Sequence, residues 1–169
     1  MSYKPLLVVD TNVFINAYWP EIGKNMSCDE EITRLVKDGK VHLGMSNATA
    51  DELAIIASSA ISLAQESDSF ELYMIIADFM RRARPYWIPK PVPRREISIH
   101  DDNDLKFLFL AIQLGADYLI TNDKESGLLD LSIEETNQVK VVQPLRFVRD
   151  YTTNQLHRNP NKIEKVDKK

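Results

Sequence analysis

Apolar runs alternate with amphipathic segments along the chain, and the two patterns predict strands and helices in turn. The run Leu-Leu-Val-Val within 5–10 is typical of a strand buried on both faces. Other short apolar segments predict strands at 41–46, 96–100, 117–121 and 139–143. Apolar residues at helical spacing predict helices at 11–19, 28–40, 49–67, 69–84, 102–115 and 144–151. This alternation predicts an α/β domain with a mainly parallel sheet.

Proline and polar residues mark the segments between and after these elements. Pro20 and Pro85 are expected to end helices, and the four prolines of 84–96 forbid a regular helix or central strand there. From Asn154 onward the chain is polar and ends in charged residues, which favours a flexible tail over 154–169. The sequence therefore predicts a domain over 1–153 followed by this tail.

Composition narrows the class of protein. A length of 169 residues suits one domain, and the net charge of −4 excludes general electrostatic attraction to nucleic acid but permits a local basic patch. The single cysteine, Cys28, excludes an intrachain disulfide and a thiolate metal cluster. The N-terminus runs directly into a strand, and no apolar run approaches the roughly 20 residues that cross a bilayer. We expect a cytoplasmic protein with no membrane partner.

Four carboxylates are expected to meet at one edge of the sheet. Asp10 and Asp123 each follow a predicted strand, and Glu52 and Asp104 lie in the first turns of predicted helices. Because ligands of open parallel sheets bind beyond the carboxyl ends of the strands, these positions favour a common site. We call the four side chains the acidic edge.

Each acid also has a simpler explanation. Thr49 and Glu52 match a capping box, Asp101 and Asp104 suit the start of a helix, and acids after strands commonly form Asx-turns. Four neighbouring acids, however, repel one another and raise each other's pKa, which capping does not require. A divalent cation resolves the repulsion, and carboxylates without Cys or His suit Mg²⁺ or Mn²⁺. Such a cation activates water and stabilises phosphoryl charge, which indicates phosphodiester hydrolysis.

Three motifs extend this pattern. They are LLVVDTNVFI at 6–15, SNATADEL at 46–53 and HDDNDLKFLFLAIQLGADYLITNDKESGLL at 100–129. In their order and spacing the chain resembles the PIN-domain family of metal-dependent ribonucleases. Within that family it looks most like the toxin components (VapC-like) of toxin–antitoxin pairs.

The resemblance implies a fold, a site and partners. The fold would be a three-layer α/β/α domain around a mainly parallel sheet of four to five strands. Asp10, Glu52, Asp104 and Asp123 match the family's catalytic metal ligands for Mg²⁺ or Mn²⁺, and Asn12 and Thr121 match polar residues that support the acids. Partners would be single-stranded RNA, a second copy of the chain and an antitoxin protein that plugs the acidic pocket.

Two departures from the family pattern concern the acids. Asn122 stands where glycine is common, so the turn before Asp123 must accept a side chain. Asp101 lies in the same acidic cluster as Asp104 and is a further candidate metal ligand.

A basic segment is a candidate RNA-binding surface. Lysines, arginines and a tryptophan suit phosphate contacts and base stacking. The candidate residues are Arg81, Arg82, Arg84, Trp87, Lys90, Arg94 and Arg95. The alternative is a solvated linker with a buried tryptophan anchor. The apolar stripe on 69–84, which includes Phe70, Tyr73 and Met74, favours either core or a dimer interface.

Other functions fit the pattern less well. A haloacid-dehalogenase-like phosphatase also begins with an acid after the first strand, but needs a second acid where this chain has Asn12. A phosphoacceptor domain needs an acceptor aspartate on a middle strand, and the segment 41–46 offers none. A non-catalytic RNA- or protein-binding PIN module would be expected to have lost some of the four acids.

Overall fold

A computed structural model describes residues 3–18, 27–61, 66–90, 96–97 and 99–164, without the side chains of 60, 61 and 66–69. The strands are β1 Leu6–Val9, β2 His42–Leu43, β3 Met45–Ser46, β4 Trp87–Ile88, β5 Tyr118–Ile120 and β6 Lys140–Val142. Four of them form a parallel sheet in the order β2-β1-β5-β6, and β3 pairs with β4 in parallel. This confirms the predicted mainly parallel sheet.

Six helices belong to the described ranges. They are α1 Thr11–Tyr18, α2 Cys28–Lys37, α3 Asn47–Ile61, α4 Glu66–Ala83, α5 Leu105–Leu114 and α6 Pro144–Thr152. Short 3-10 turns lie at Arg84–Tyr86, Asp102–Asp104 and Leu128–Asp130. Within the part of the chain that the structure describes, no helix combines the length and apolar character needed to cross a bilayer.

The core lies on both faces of the sheet because side chains alternate along each strand. Leu7 and Val9 of β1 pack against α1, α2, α3, α4 and α6. Leu6 and Val8 face the opposite side and pack against α5. The result is the expected three-layer α/β/α arrangement.

Two strand predictions differ from the structure. The segment 41–46 is divided into β2 and β3 at Gly44, which lies so close to the Leu114 side chain that an added Cβ would collide with it. The described residues of 96–100 are not in a strand. Pro20, the expected end of α1, lies outside the described residues.

Three side chains of the apolar stripe on α4 are not core, whereas Met80 of the same stripe packs against it. Residues at helical spacing on the opposite face are the buried ones: Leu72, Ile76, Phe79 and Ala83. Phe70, Tyr73 and Met74 are exposed, by 70%, 53% and 56% respectively. The core alternative for these three side chains is therefore wrong.

The described part of the expected tail packs on the domain. Asn159 is buried and its N–H donates to Asp117 Oδ1 at 2.8 Å, while Lys162 Nζ donates to Asp117 Oδ2 at 3.0 Å. His157 N–H donates to the Tyr118 hydroxyl, and Ile163 N–H donates to the Leu114 carbonyl at 3.1 Å. These contacts correct the expectation of a flexible tail over 154–164, since they satisfy a fully buried carboxylate.

Candidate active site at the acidic edge

The acidic edge lies where the sheet reverses its strand order. From β1 the chain passes to β2 on one side, whereas β5 and β6 lie on the other. Crevices at such a switch point are the usual ligand sites of open α/β sheets. Asp10 directly follows β1, and Asp123 lies just beyond the end of its neighbour β5.

Asp10 is a buried carboxylate with two donors. It is 3% exposed, and its Oδ2 accepts a hydrogen bond from Thr121 Oγ1 at 2.8 Å. Its Oδ1 accepts from the backbone N–H of Asn12 at 3.4 Å, so that contact does not depend on the asparagine side chain, which is exposed. Burial raises the pKa of Asp10, the two hydrogen bonds lower it, and the charges of Glu52 and Asp123 raise it further.

Thr121 connects two of the acids. Its hydroxyl, fully buried, donates to Asp10 and accepts from the backbone N–H of Asp123 at 3.0 Å. Asp123 Oδ1 in turn accepts from the N–H groups of Glu125 at 2.7 Å and Ser126 at 3.1 Å. The Asx-turn considered for Asp123 is therefore present, and it uses one of the two carboxylate oxygens.

Glu52 is not part of a helix cap. Helix α3 begins at Asn47, and the reciprocal cap is formed by Ser46 and Thr49, whose hydroxyls accept from each other's backbone N–H at 3.2 and 2.9 Å. Glu52 lies in the next turn, which corrects its placement in the first. Its carboxylate pairs with Lys106 Nζ of α5.

Asp104 is placed at the start of α5 without capping it. Its side chain makes no cap hydrogen bond, and its Oδ2 is a buried side-chain oxygen with no hydrogen-bond partner. Burial raises the pKa of Asp104 to about 7, helped by the charges of Asp10, Asp123 and Asp101. These causes show that three other acids lie close enough to act on Asp104.

Asp101 has the simpler role that the sequence allowed. Its side chain is exposed, and its Oδ1 accepts from the N–H of Asn103 at 2.9 Å, which caps the 3-10 turn. Its charge nevertheless reaches Asp104. Asp101 is thus a neighbour of the acidic edge whose carboxylate is partly used for capping.

A model of the PIN domain family matches residues 6–125. The chain is a PIN-domain protein. The match includes all four acids of the acidic edge and extends from β1 past β5. No curated protein matches the chain at a significant level.

A further acid of the PIN domain, Asp29, contacts the end of β5 and was not among the candidates taken from the sequence. Asp29 lies in the first turn of α2, and both its oxygens accept from Asn122 Nδ2, at 3.1 and 3.2 Å. Burial raises the pKa of Asp29, while hydrogen bonds from Asn122 and Asn16 lower it. Asn122 is not in a left-handed conformation, so a glycine is not required there, and its amide instead ties the end of β5 to α2. In the sequence, the only indication of this contact was an asparagine at position 122, where glycine is common in the family.

Five of the candidate RNA-binding residues belong to the described part of the chain. Arg81 and Arg82 both pair with Asp78, each at 2.6 Å, and Arg84 is exposed. Trp87 is half-buried against the core and donates from Nε1 to Asn47 Oδ1 at 2.8 Å. Lys90 is exposed beside a cavity near the acidic edge, whereas Arg94 and Arg95 lie outside the described residues.

The donor chemistry of the PIN domain fits a hard divalent cation. All four side chains of the acidic edge offer carboxylate oxygens, which Mg²⁺ and Mn²⁺ prefer, and the buried Asp104 Oδ2 lacks a donor that a cation would replace. Among the described residues, no three Asp, Glu, His or Cys side chains form a ready-made cage. One oxygen of the Glu52 carboxylate is paired with Lys106.

Proposed function

We propose that this PIN-domain protein is a divalent-metal-dependent endoribonuclease that hydrolyses phosphodiester bonds in single-stranded RNA. The observation that carries the proposal is the carboxylate of Asp104. It has a buried oxygen without a partner and a pKa raised to about 7, and it faces the charges of Asp10 and Asp123. A fold that only needed a helix start would cap α5 with this side chain and would not bury an unsatisfied oxygen.

In the proposed nuclease, each side chain at the acidic edge has its own role. Asp10, Glu52, Asp104 and Asp123 would hold Mg²⁺ or Mn²⁺, with Asp101 at the margin. When bound, the cation supplies a better nucleophile from water and neutralises charge on the phosphoryl oxygen. Thr121 fixes Asp10 relative to Asp123, because its hydroxyl bonds to the Asp10 carboxylate and to the Asp123 N–H. Lys106 pairs with one oxygen of the Glu52 carboxylate and so lowers the net negative charge of the acidic edge.

A cleavage assay tests the proposal. Wild-type protein is expected to cut single-stranded RNA internally with Mg²⁺ or Mn²⁺, and Asp10→Asn to lose at least ~100-fold in rate, because the metal contributes several kcal/mol. Asp38→Asn is the matched control, since this exposed acid caps the far end of α2 and pairs with Arg34. Cleavage that persists in Asp10→Asn, or that wild type lacks with either metal, would overturn the proposal.

Substrate controls separate the alternatives. A haloacid-dehalogenase-like phosphatase would release phosphate from a monoester and would need a general acid near Asp10, where Asn12 contributes a backbone N–H. A non-catalytic module would bind RNA and leave it intact with every metal. We expect internal cleavage of RNA and no turnover of phosphate monoesters.

We further propose that the nuclease is a cytoplasmic toxin held by an antitoxin protein, as the sequence resemblance implies. Expression of the wild type should then arrest growth, and Asp104→Asn should not. Co-expression of a protein encoded beside it should restore growth and co-purify with the nuclease. Unimpaired growth at high expression of active enzyme would count against this role.

A homodimer is the third part of the proposal. The exposed apolar side chains Phe70, Tyr73 and Met74 on α4, with Ile55 on α3, support it because apolar patches of this kind mark interfaces. Light scattering should give twice the mass of the chain, and Tyr73→Glu should give the monomer mass. A monomeric wild type would remove this part of the proposal alone.

A further inference from the structure

A cavity of about 540 Å³ lies beside the acidic edge. Residues next to Glu52 and Asp104 in sequence line it, namely Asp51, Asp102, Asn103 and Leu105. Lys106 also lines it and pairs with Glu52, so this residue contacts both the cavity and the acidic edge. The volume falls within the roughly 300–1,000 Å³ of small-ligand sites.

The lining combines cations, an oriented amide and apolar surface. Among the described lining residues the cations are Lys90 and Lys106. Asn47 accepts from Trp87 Nε1 through its Oδ1, at 2.8 Å, which fixes the side chain and leaves its NH₂ group as a donor. Pro89 and Phe109 supply apolar surface. Two ammonium groups, an amide donor and apolar surface together suit a ligand with an anionic group, polar edges and a flat apolar face.

Two acids also border the cavity, and they restrict where an anion can bind. Asp51 and Asp102 are exposed, so water screens their charges. The net charge of the lining is therefore near zero only because of the two lysines. Without Lys90 and Lys106 the cavity would repel a phosphate.

We propose that this cavity is the subsite for the nucleotide adjacent to the scissile phosphate of single-stranded RNA. Lys90 and Lys106 contact phosphate, and the Asn47 amide donates to the base or ribose. Lys106 then has two partners, Glu52 in the free protein and the RNA phosphate in the complex. The inference rests on the proposed nuclease function and specifies where its substrate lies.

Equilibrium binding tests the subsite separately from cleavage. Fluorescence anisotropy of a short labelled single-stranded RNA is measured in EDTA over a range of salt concentrations, with RNA integrity checked on a gel. Removal of a lysine that contacts phosphate should reduce the magnitude of the slope of log affinity against log salt by ~0.7. Lys90→Gln and Lys106→Gln are therefore expected to bind more weakly and with smaller slopes. Asn47→Ala should bind more weakly with an unchanged slope.

Lys40→Gln is the matched control. It removes the same charge from an exposed residue that precedes β2, at the opposite end of the strands from the acidic edge. Lys90→Gln is the deciding variant, because Lys106→Gln also leaves Glu52 without its partner. Lys106→Arg should restore most of the slope, since it restores the charge.

The outcomes distinguish the subsite from the nuclease. If Lys90→Gln binds with the slope of Lys40→Gln, or wild type binds no RNA, the subsite is overturned, even where the wild type cleaves RNA with metal. If the lysine variants lose slope as expected while wild type cleaves nothing, the subsite stands and the nuclease proposal falls.

Discussion

The carboxylates near the acidic edge differ in how far ordinary turn and cap contacts satisfy them. Asp101 and Asp123 each accept backbone N–H groups of the following turn. Asp10 accepts from Thr121, whereas Asp104 keeps a buried oxygen without a partner. Because an unsatisfied buried oxygen costs free energy, Asp104 is the side chain whose placement is hardest to explain by folding alone.

Asp104 should destabilise the metal-free protein as pH rises. Its pKa is about 7 in the folded state and 3.8 ordinarily, so the folded state binds the proton more tightly. The stability from this group is fully present below about pH 4 and is lost as pH rises to about 7. Asp104→Asn should therefore exceed wild type by about 1–2 kcal/mol near pH 8, after allowance for solvent screening, and match it near pH 4.

Denaturant unfolding in EDTA at both pH values measures this difference. Asp130→Asn, an exposed acid in a 3-10 turn, is the control and should leave the pH dependence of stability unchanged. Two results would contradict the expected cost of the Asp104 charge. Asp104→Asn could be no more stable than wild type near pH 8, or it could exceed wild type by the same amount at both pH values.

Thr121 should be required for its hydroxyl rather than its shape. Thr121→Val keeps the volume but removes the donor to Asp10 Oδ2 and the acceptor for the Asp123 N–H. A loss of about 1–3 kcal/mol in the free energy of unfolding is expected, because buried polar groups lose their partners. Thr121→Ser keeps the hydroxyl and should lose less. Equal stabilities of the two variants would remove the hydroxyl from this role.

At the scale of elements, the start of α3 decides what Glu52 is free to do. The reciprocal cap of Ser46 and Thr49 satisfies the N–H group of Ser46, which precedes the helix, and that of Thr49 in its first turn. Glu52 follows in the next turn and points its charge at Lys106 of α5. A cap one turn earlier than the sequence indicated thus separates the structural acceptors from the acidic edge.

Ser46→Ala should measure the value of this cap. The loss of the Ser46 hydroxyl should lower the free energy of unfolding by about 1 kcal/mol. Ser58→Ala in the same helix is the control: its hydroxyl donates to the Ala54 carbonyl, and its removal should cost little or nothing. If Ser58→Ala cost as much as Ser46→Ala in denaturant unfolding, the cap would have no special weight.

At the scale of the whole molecule, the C-terminal segment completes the domain. Asp117 precedes β5, is fully buried and accepts from Leu6 N–H at 2.7 Å as well as from Asn159 and Lys162. The segment also lies against Gly115, whose positive φ of 57° and close contact with Asn161 leave no room for a side chain. The first strand, the fifth strand and the C-terminal segment therefore share one buried carboxylate.

Truncation of the C-terminal segment should show that the stability of the domain depends on its contacts with Asp117. Deletion of 154–169 removes Asn159 and Lys162 and should lower the free energy of unfolding by at least about 3 kcal/mol, because it leaves a buried charge without its cation. Deletion of 165–169 keeps both residues and should be close to neutral. Similar denaturation midpoints for the two truncations would mean that the contacts of Asn159 and Lys162 with Asp117 contribute little to stability.

The sequence by itself determined the alternation of strands and helices, although not the short strand β4 or the division of 41–46 at Gly44. An apolar run such as Leu6–Val9 has few alternatives to a buried strand, and Gly115 and Pro144 mark helix boundaries through backbone geometry. These are local constraints, so the sheet type and the carboxyl edge followed from the chain alone. The family match over 6–125 agrees with the mainly parallel α/β fold.

Only the tertiary structure decided which side chains are partners. Lys106 reaches Glu52 across two helices, Asn122 reaches Asp29 across 93 positions, and Lys162 reaches Asp117 from a segment with a polar, tail-like sequence. No local pattern encodes such pairs, because they depend on how layers pack. The same reason applies to Asp104: its raised pKa arises from burial and from acids on other elements, which only the folded chain brings together.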